Sequence, residues 1–117
     1  MCREYDEFVL NPPEHFIKVG ELIFYPERLE IHLKKRRVTL TYNETIITEI
    51  LFSQYPRTVT HKELLSAIQR NEGYVSRNTL YKNIVRVNKK FDILGFGKAI
   101  KVVSKIGYRL NIKENIY

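Results

Sequence analysis

Twice in this chain a threonine stands three residues ahead of a glutamate at the head of an apolar-periodic run. Thr41 and Glu44 precede Ile46, Ile47, Ile50 and Leu51; Thr60 and Glu63 precede Leu64, Leu65 and Ile68. Such pairs can satisfy free amide groups at a helix start reciprocally, so the spacing marks two helix N-termini. Pro56 stops the first helix, "TVTHKELLSAIQ" holds the second, and Thr58 to Thr60 form a short strand leading into it. Before Thr41 the period is different. In residues 16–40, "FIKVGELIFYPERLEIHLKKRRVTL", the turn signals Gly20, Pro26-Glu27-Arg28 and Lys34-Lys35 divide β-type residues into four short strands, the pattern of a small antiparallel sheet.

A third helix follows in "SRNTLYKNIVRVNKKF", Ser76 to Phe91. On a helical wheel Leu80, Ile84, Val87 and Phe91 fall within an arc of about 60°, a narrow stripe that must face a core. Lys82, Arg86 and Lys89 lie opposite, with Asn78, Thr79 and Val85 around them. A charged face usually means only solvation, but solvated helices mix signs to form intrahelical pairs. Between Arg77 and Phe91 there are five Lys/Arg and no Asp or Glu.

Strand chemistry returns in "DILGFGKAIKVVSKIGYRLNI": Ala99 to Val103 and Tyr108 to Ile112 flank the turn Ser104 to Gly107, giving a hairpin that carries Lys101, Lys105 and Arg109. The fold class is therefore α+β: a four-stranded antiparallel sheet, three helices and a C-terminal hairpin. One core suffices for 117 residues. The domain is expected over 16–112, with tails at 1–15 and 113–117.

The charge is unevenly placed. Residues 1–60 carry 8 Lys/Arg against 9 Asp/Glu, and residues 61–117 carry 12 against 4. A basic C-terminal half points to a polyanion such as nucleic acid or an anionic membrane surface. The longest run without a charge, Ile50 to Pro56, is seven residues, far short of a membrane span. "MCREYDEF" lacks the apolar run of a secretory signal, so the cytoplasm is the expected location. Cys2 is the sole cysteine and has no internal disulfide partner.

From Leu40 to Leu110 the chain resembles the winged-helix DNA-binding domain of OmpR/PhoB-type regulators, and the strands before it resemble that family's N-terminal sheet. The matching motifs are "LTYNE", "VTHKELLSAI", "NTLYKNIVRVNKKF" at the recognition helix and "KVVSKIGYRL" at the wing. The opening of the third helix is similar to the ToxR/CadC branch, which implies the cytoplasmic end of a membrane-anchored regulator, with an anchor beyond Tyr117 if the chain is a fragment. No receiver domain is expected within the 15 residues before the sheet. The resemblance further implies a domain that is monomeric alone and pairs on tandem DNA sites, with RNA polymerase contact through the 70–76 loop. Three positions depart from the family pattern. Gln69 stands where an aromatic is common, Ser104-Lys105 where the wing turn often has Arg-Gly, and Asn88 where Arg is frequent, which removes a phosphate contact.

The expected partner is double-stranded DNA, read in a sequence-specific manner by a bacterial-type transcriptional regulator. A helix fits the major groove, where Asn suits adenine and Arg or Lys suits guanine, so Asn78, Thr79, Lys82, Arg86 and Lys89 are the candidate contacts. Which of them read bases rather than phosphates is open. Lys105 at the hairpin tip, with Lys101 and Arg109 behind it, can approach the adjacent minor groove. Thr60 and His61 open a helix whose amides can hold a phosphate, and Lys62 adds charge there. The alternative is a winged-helix module that docks a protein. Gly95 to Lys98, "GFGK", lacks the spacing of a phosphate loop and reads as a turn. His15, His32 and His61 have no metal-ligand spacing, and no nucleophile and base come together, so neither cofactor nor catalysis is expected. The Lys34 to Arg37 run reads as a solvated turn, and Tyr81 and Tyr108 as packing residues.

Overall fold

The computed structural model describes residues 14–112, so nearly all of both expected tails lies outside the described residues. Strands β1 (Ile17–Val19), β2 (Leu22–Tyr25), β3 (Glu30–Leu33) and β4 (Arg36–Thr39) form one antiparallel sheet in chain order. The three turn signals separate them, with a single 3-10 turn at Pro26–Arg28. Alternation along the strands sends Leu22, Phe24, Ile31 and Val38 inward, and Ile31 sits opposite both Phe24 and Val38. Ile23, His32 and Arg37, aligned across the same strands, form the outer face.

Helix α1 (Tyr42–Gln54), strand β5 (Val59–Thr60), helix α2 (His61–Glu72), helix α3 (Arg77–Ile93) and strands β6 (Ile100–Val103) and β7 (Gly107–Leu110) complete the chain. Both capping boxes form. Thr41 Oγ1 accepts from the Glu44 amide at 3.2 Å while Glu44 Oε1 accepts from the Thr41 amide at 3.0 Å, and Thr60 with Glu63 repeats the pattern at 3.1 and 2.9 Å. Helix α2 runs to Glu72 and ends at Gly73, whose amide bonds the Gln69 carbonyl at 3.0 Å. The 70–76 segment is therefore loop only from Gly73 to Ser76. Gln69, where the resemblance leads one to expect an aromatic, makes a hydrogen bond instead: its Nε2 donates to the Val75 carbonyl at 3.2 Å and braces that loop.

The expected apolar side of α1 is rotated. Glu44, Thr45, Ile47, Thr48, Leu51 and Phe52 are buried, whereas Ile46 and Ile50 are half-buried. The cause is the central place of α1, which packs against β1, β5, β7, α2 and α3 and so buries a wide arc that includes polar residues. Thr45 remains satisfied by donating to the Thr41 carbonyl at 2.9 Å. Through α1 runs a row of rings: Phe24 to Phe52 at 5.4 Å, Phe52 to Phe91 at 6.5 Å, and Phe91 to Phe96 at 6.1 Å. This row joins sheet, α1 and α3 in one core, each fully buried side chain contributing about 1.5–3 kcal/mol.

The hairpin belongs to a three-stranded sheet in the order β5-β7-β6, a pairing the sequence did not indicate. Val59 and Thr60 pair with Tyr108 and Gly107. At Gly107 a Cβ would run into the Val59 carbonyl oxygen and the Thr60 Cα, so only glycine lets β5 close on β7.

Glu44 also reaches across the core. Its Oε1 accepts from Lys90 Nζ of α3 at 2.7 Å, with 1% of the Glu44 side chain exposed. Removing the carboxylate strips one half of the capping box and the partner of a partly buried ammonium. Glu44→Ala is expected to lower stability in urea by about 2–4 kcal/mol. A loss below about 0.5 kcal/mol, the usual range for a surface change, would contradict this role.

Candidate nucleic-acid interface

The rotation of α3 is set by what it buries. Leu80, Ile84, Val87 and Phe91 face the core as the stripe predicts, and Asn83, also buried, donates to the Thr79 carbonyl at 3.1 Å. On the other side Asn78, Thr79, Lys82, Arg86 and Lys89 are exposed. Ser76 caps the helix by accepting from the Thr79 amide at 3.1 Å, and it donates to Thr79 Oγ1 at 3.2 Å. Among the described residues Arg77, Lys82, Arg86 and Lys89 have no ion-pair partner, in contrast to Lys90.

Two further α3 residues belong to this surface. Arg77 occupies the first helical position, and the first turn holds no acid. A cation there opposes the helix dipole unless an anion lies nearby. Tyr81 is 50% exposed, which corrects its reading as a packing residue, whereas Tyr108 is buried at 4%. Tyr81 lies beyond the edge of the narrow stripe, and its wheel position beside Arg77 was the signal for this exposure.

The wing tip meets the start of α2. The His61 amide donates to the Ile106 carbonyl at 3.2 Å, which brings Thr60, His61 and Lys62 beside the turn that carries Lys105. The capping box engages the amides of Thr60 and Glu63, so among the first amides of α2 the one at Lys62 is left to meet an anion. Thr60 thus builds the helix start and Lys62 presents it. The His61 ring packs edge-on against Tyr108, centroids 5.6 Å apart. Burial, with the Arg77 guanidinium adding to it, holds the imidazole below its ordinary pKa of 6.5.

Lys105 sits at the tip with φ of 65°, a left-handed conformation that favours glycine. Ser104 and Ile106 beside it are exposed. Further back, Lys101 and Arg109 stand directly opposite each other on β6 and β7, a like-charge pair that an anion would relieve. Lys101 also lines a groove at the base of the wing with Lys98 and Lys34, Lys35 and Arg36, apart from the tip.

A helix with a free basic face, a second helix start and a hairpin joined to it are the parts of a winged helix-turn-helix domain. Residues 35–110 match the family described as "Transcriptional regulatory protein, C terminal", and the chain belongs to it: it is the DNA-binding domain of a transcriptional regulator, in a family that is not one of enzymes. The sensory transduction protein BceR of Bacillus subtilis is 35% identical over 71% of this chain and 36% of its own length. The C-terminal domain of the nisin resistance regulator NsrR, a lantibiotic response regulator, matches with a TM-score of 0.72 and 26% identity over 84% of this chain and 99% of that one. The DNA-binding domain of Escherichia coli CadC shares the fold, with a TM-score of 0.73 at 18% identity over 86% of this chain and 96% of that one. The chain spans about a third to a half of the length of the curated relatives it matches.

Two outcomes follow. Lys105→Gly relieves the left-handed strain while adding backbone freedom to the unfolded chain, so stability should stay level or rise by up to about 1 kcal/mol. A loss of that size in thermal unfolding would mean that the Lys105 side chain supports the turn. For His61 the unfolded state protonates first as pH falls. Stability contributed by its neutral form is full above 6.5 and declines as pH drops from there toward the lowered folded value. Comparing unfolding of the parent and His61→Gln between neutral and mildly acid pH should show a shallower decline in the variant.

Proposed function

We propose that α3 lies in the major groove of duplex DNA, with Asn78, Thr79, Lys82, Arg86 and Lys89 directed at bases and phosphates and Arg77 and Tyr81 at its leading edge. The wing tip carries Lys105 to the adjacent minor groove, Lys101 and Arg109 neutralise backbone behind it, and the start of α2 at Thr60, His61 and Lys62 holds a phosphate. The observation that supports this reading most is the set of four unpaired cations on a helix whose rotation is fixed by its buried stripe. A helix kept from pairing its own charges is suited to phosphates, which supply most of the affinity in such contacts.

The domain alone is monomeric and pairs on tandem sites. Tyr74, 86% exposed on the Gly73 to Ser76 loop, offers the contact to RNA polymerase. No helix among the described residues is long and apolar enough to cross a membrane. The domain works in the cytoplasm, where the DNA is, and would be the cytoplasmic part of an anchored regulator if the chain continues past Tyr117 into a span.

Selecting bound duplexes from a random pool provides the site, and titrations on it then test the contacts. With about 4 to 6 phosphates neutralised, log K should fall against log salt with a slope near −4 to −5. A flat salt response would overturn the reading. Arg86→Ala should cost about 1–3 kcal/mol on the selected site and relax one base pair if Arg86 grips a base, or reduce the slope by about 1 on all sequences if it grips phosphate. Unchanged binding by Arg86→Ala, Lys105→Ala and the double variant would favour docking to a protein instead.

A further inference from the structure

Asn88 follows Val87 of the buried stripe and precedes the exposed Lys89, yet its side chain is turned neither to the core nor to solvent. Its Nδ2 donates to the Ile100 carbonyl at 3.0 Å, and its Oδ1 accepts from the amides of Ala99 at 3.2 Å and Ile100 at 2.9 Å. All three bonds cross from α3 to Ala99 and to Ile100, the first residue of the wing strand β6. The Ala99 carbonyl in turn accepts from the Asn111 amide at 2.7 Å, so both legs of the wing are gathered at this point. The connection through Leu94 to Lys98 is fastened to α3 where the Phe96 amide donates to the Phe91 carbonyl at 3.0 Å, and Asn88 adds the side-chain link to the wing itself. Gly95 and Gly97 have φ of 88° and 91°, and no strand or helix forms between Ile93 and Ile100.

Three consecutive α3 residues thus point in three directions. Asn88 clamps the wing, Lys89 faces outward, and Lys90 reaches the Glu44 carboxylate of α1 at 2.7 Å. We infer that Asn88 is a positioning residue that fixes the wing relative to the recognition helix, so that the two enter adjacent grooves together. This rests on the DNA reading above. The chemistry fits: an amide offers a donor and an acceptor on one rigid plane, matching the carbonyl and amides of a strand start, whereas an arginine could only donate. The position therefore exchanges a direct phosphate contact for control of the helix-to-wing geometry.

A merely structural Asn88 would lower the folded fraction and weaken all binding alike. A positioning Asn88 makes the wing's contribution depend on it, and this is a coupling that a double-variant cycle measures. Titrations of the selected duplex would use the unaltered chain, Lys105→Ala, Asn88→Ala and the double variant, well below each unfolding midpoint. Lys105→Ala in the unaltered chain should weaken binding by about three- to ten-fold. With Asn88→Ala present, the same change should alter binding by less than about two-fold, since the wing no longer sits in its groove. An equal factor in both backgrounds overturns the inference, as does a Lys105→Ala change without effect in the unaltered chain. If Asn88→Ala does not fold, Asn88→Asp keeps the two bonds from Ala99 and Ile100 and loses the one to the Ile100 carbonyl; the Lys105 factor should then fall between the two, and a full factor counts against the clamp. Failure of the unaltered chain to bind any duplex would overturn the DNA reading itself, and is thereby distinguished from failure of the clamp.

Discussion

The burial of Leu80, Ile84, Val87 and Phe91 is the constraint on which the rest depends. Four apolar side chains on one narrow arc allow α3 only one rotation, because turning it exposes them at about 1.5–3 kcal/mol each. With that rotation fixed, Lys82, Arg86 and Lys89 must stand outward whether or not their mutual repulsion favours it. The core thus supplies the stability that keeps a patch of like charge in place. Separating the two faces of one helix is how a small domain holds a surface that its own electrostatics would disperse.

Around this helix, polar contacts set distances that apolar packing leaves loose. Glu44 closes the cap of α1 and takes the Lys90 ammonium, so one carboxylate joins a helix start to the far end of α3. Asn88 does the same toward β6, and the His61 amide ties the start of α2 to the wing tip. Gly107 admits β5 to the wing sheet, and without it the tip and α2 could not meet. Each contact is modest alone, but they converge on the mutual placement of α2, α3 and the hairpin, the three elements proposed to touch DNA.

Much of this was legible in the residues. The capping pairs marked the helix starts, the turn signals divided the sheet correctly, and the wheel of α3 separated its buried and exposed faces, because each depends on neighbours close in sequence. What escaped depends on distant partners. The burial of Glu44 follows from Lys90, and the β5 to β7 pairing from a glycine 48 positions beyond Val59. Asn88 looked like a lost phosphate contact, since its partners at Ala99 and Ile100 are set by how the chain folds back. Periodicity put Ile46, Ile47, Ile50 and Leu51 on one side of α1; Ile47 and Leu51 are in the core and Ile50 packs against it, but the burial of Glu44, Thr45 and Thr48 beside them comes from the elements that surround a central helix. Within the candidate surface the outward residues of α3 were readable, while the contact between α2 and the wing tip was not.

The most direct measurement is the amide NMR spectrum of the domain during titration with the selected duplex. The expected perturbations centre on the outward residues Asn78, Lys82, Arg86 and Lys89, on 104–106 and on 61–62, three segments distant in sequence that are proposed to meet DNA together. The outer sheet residues Ile23, His32 and Arg37 should stay unmoved. Perturbations centred on that sheet, or confined to α3 with the wing and α2 silent, would contradict the account.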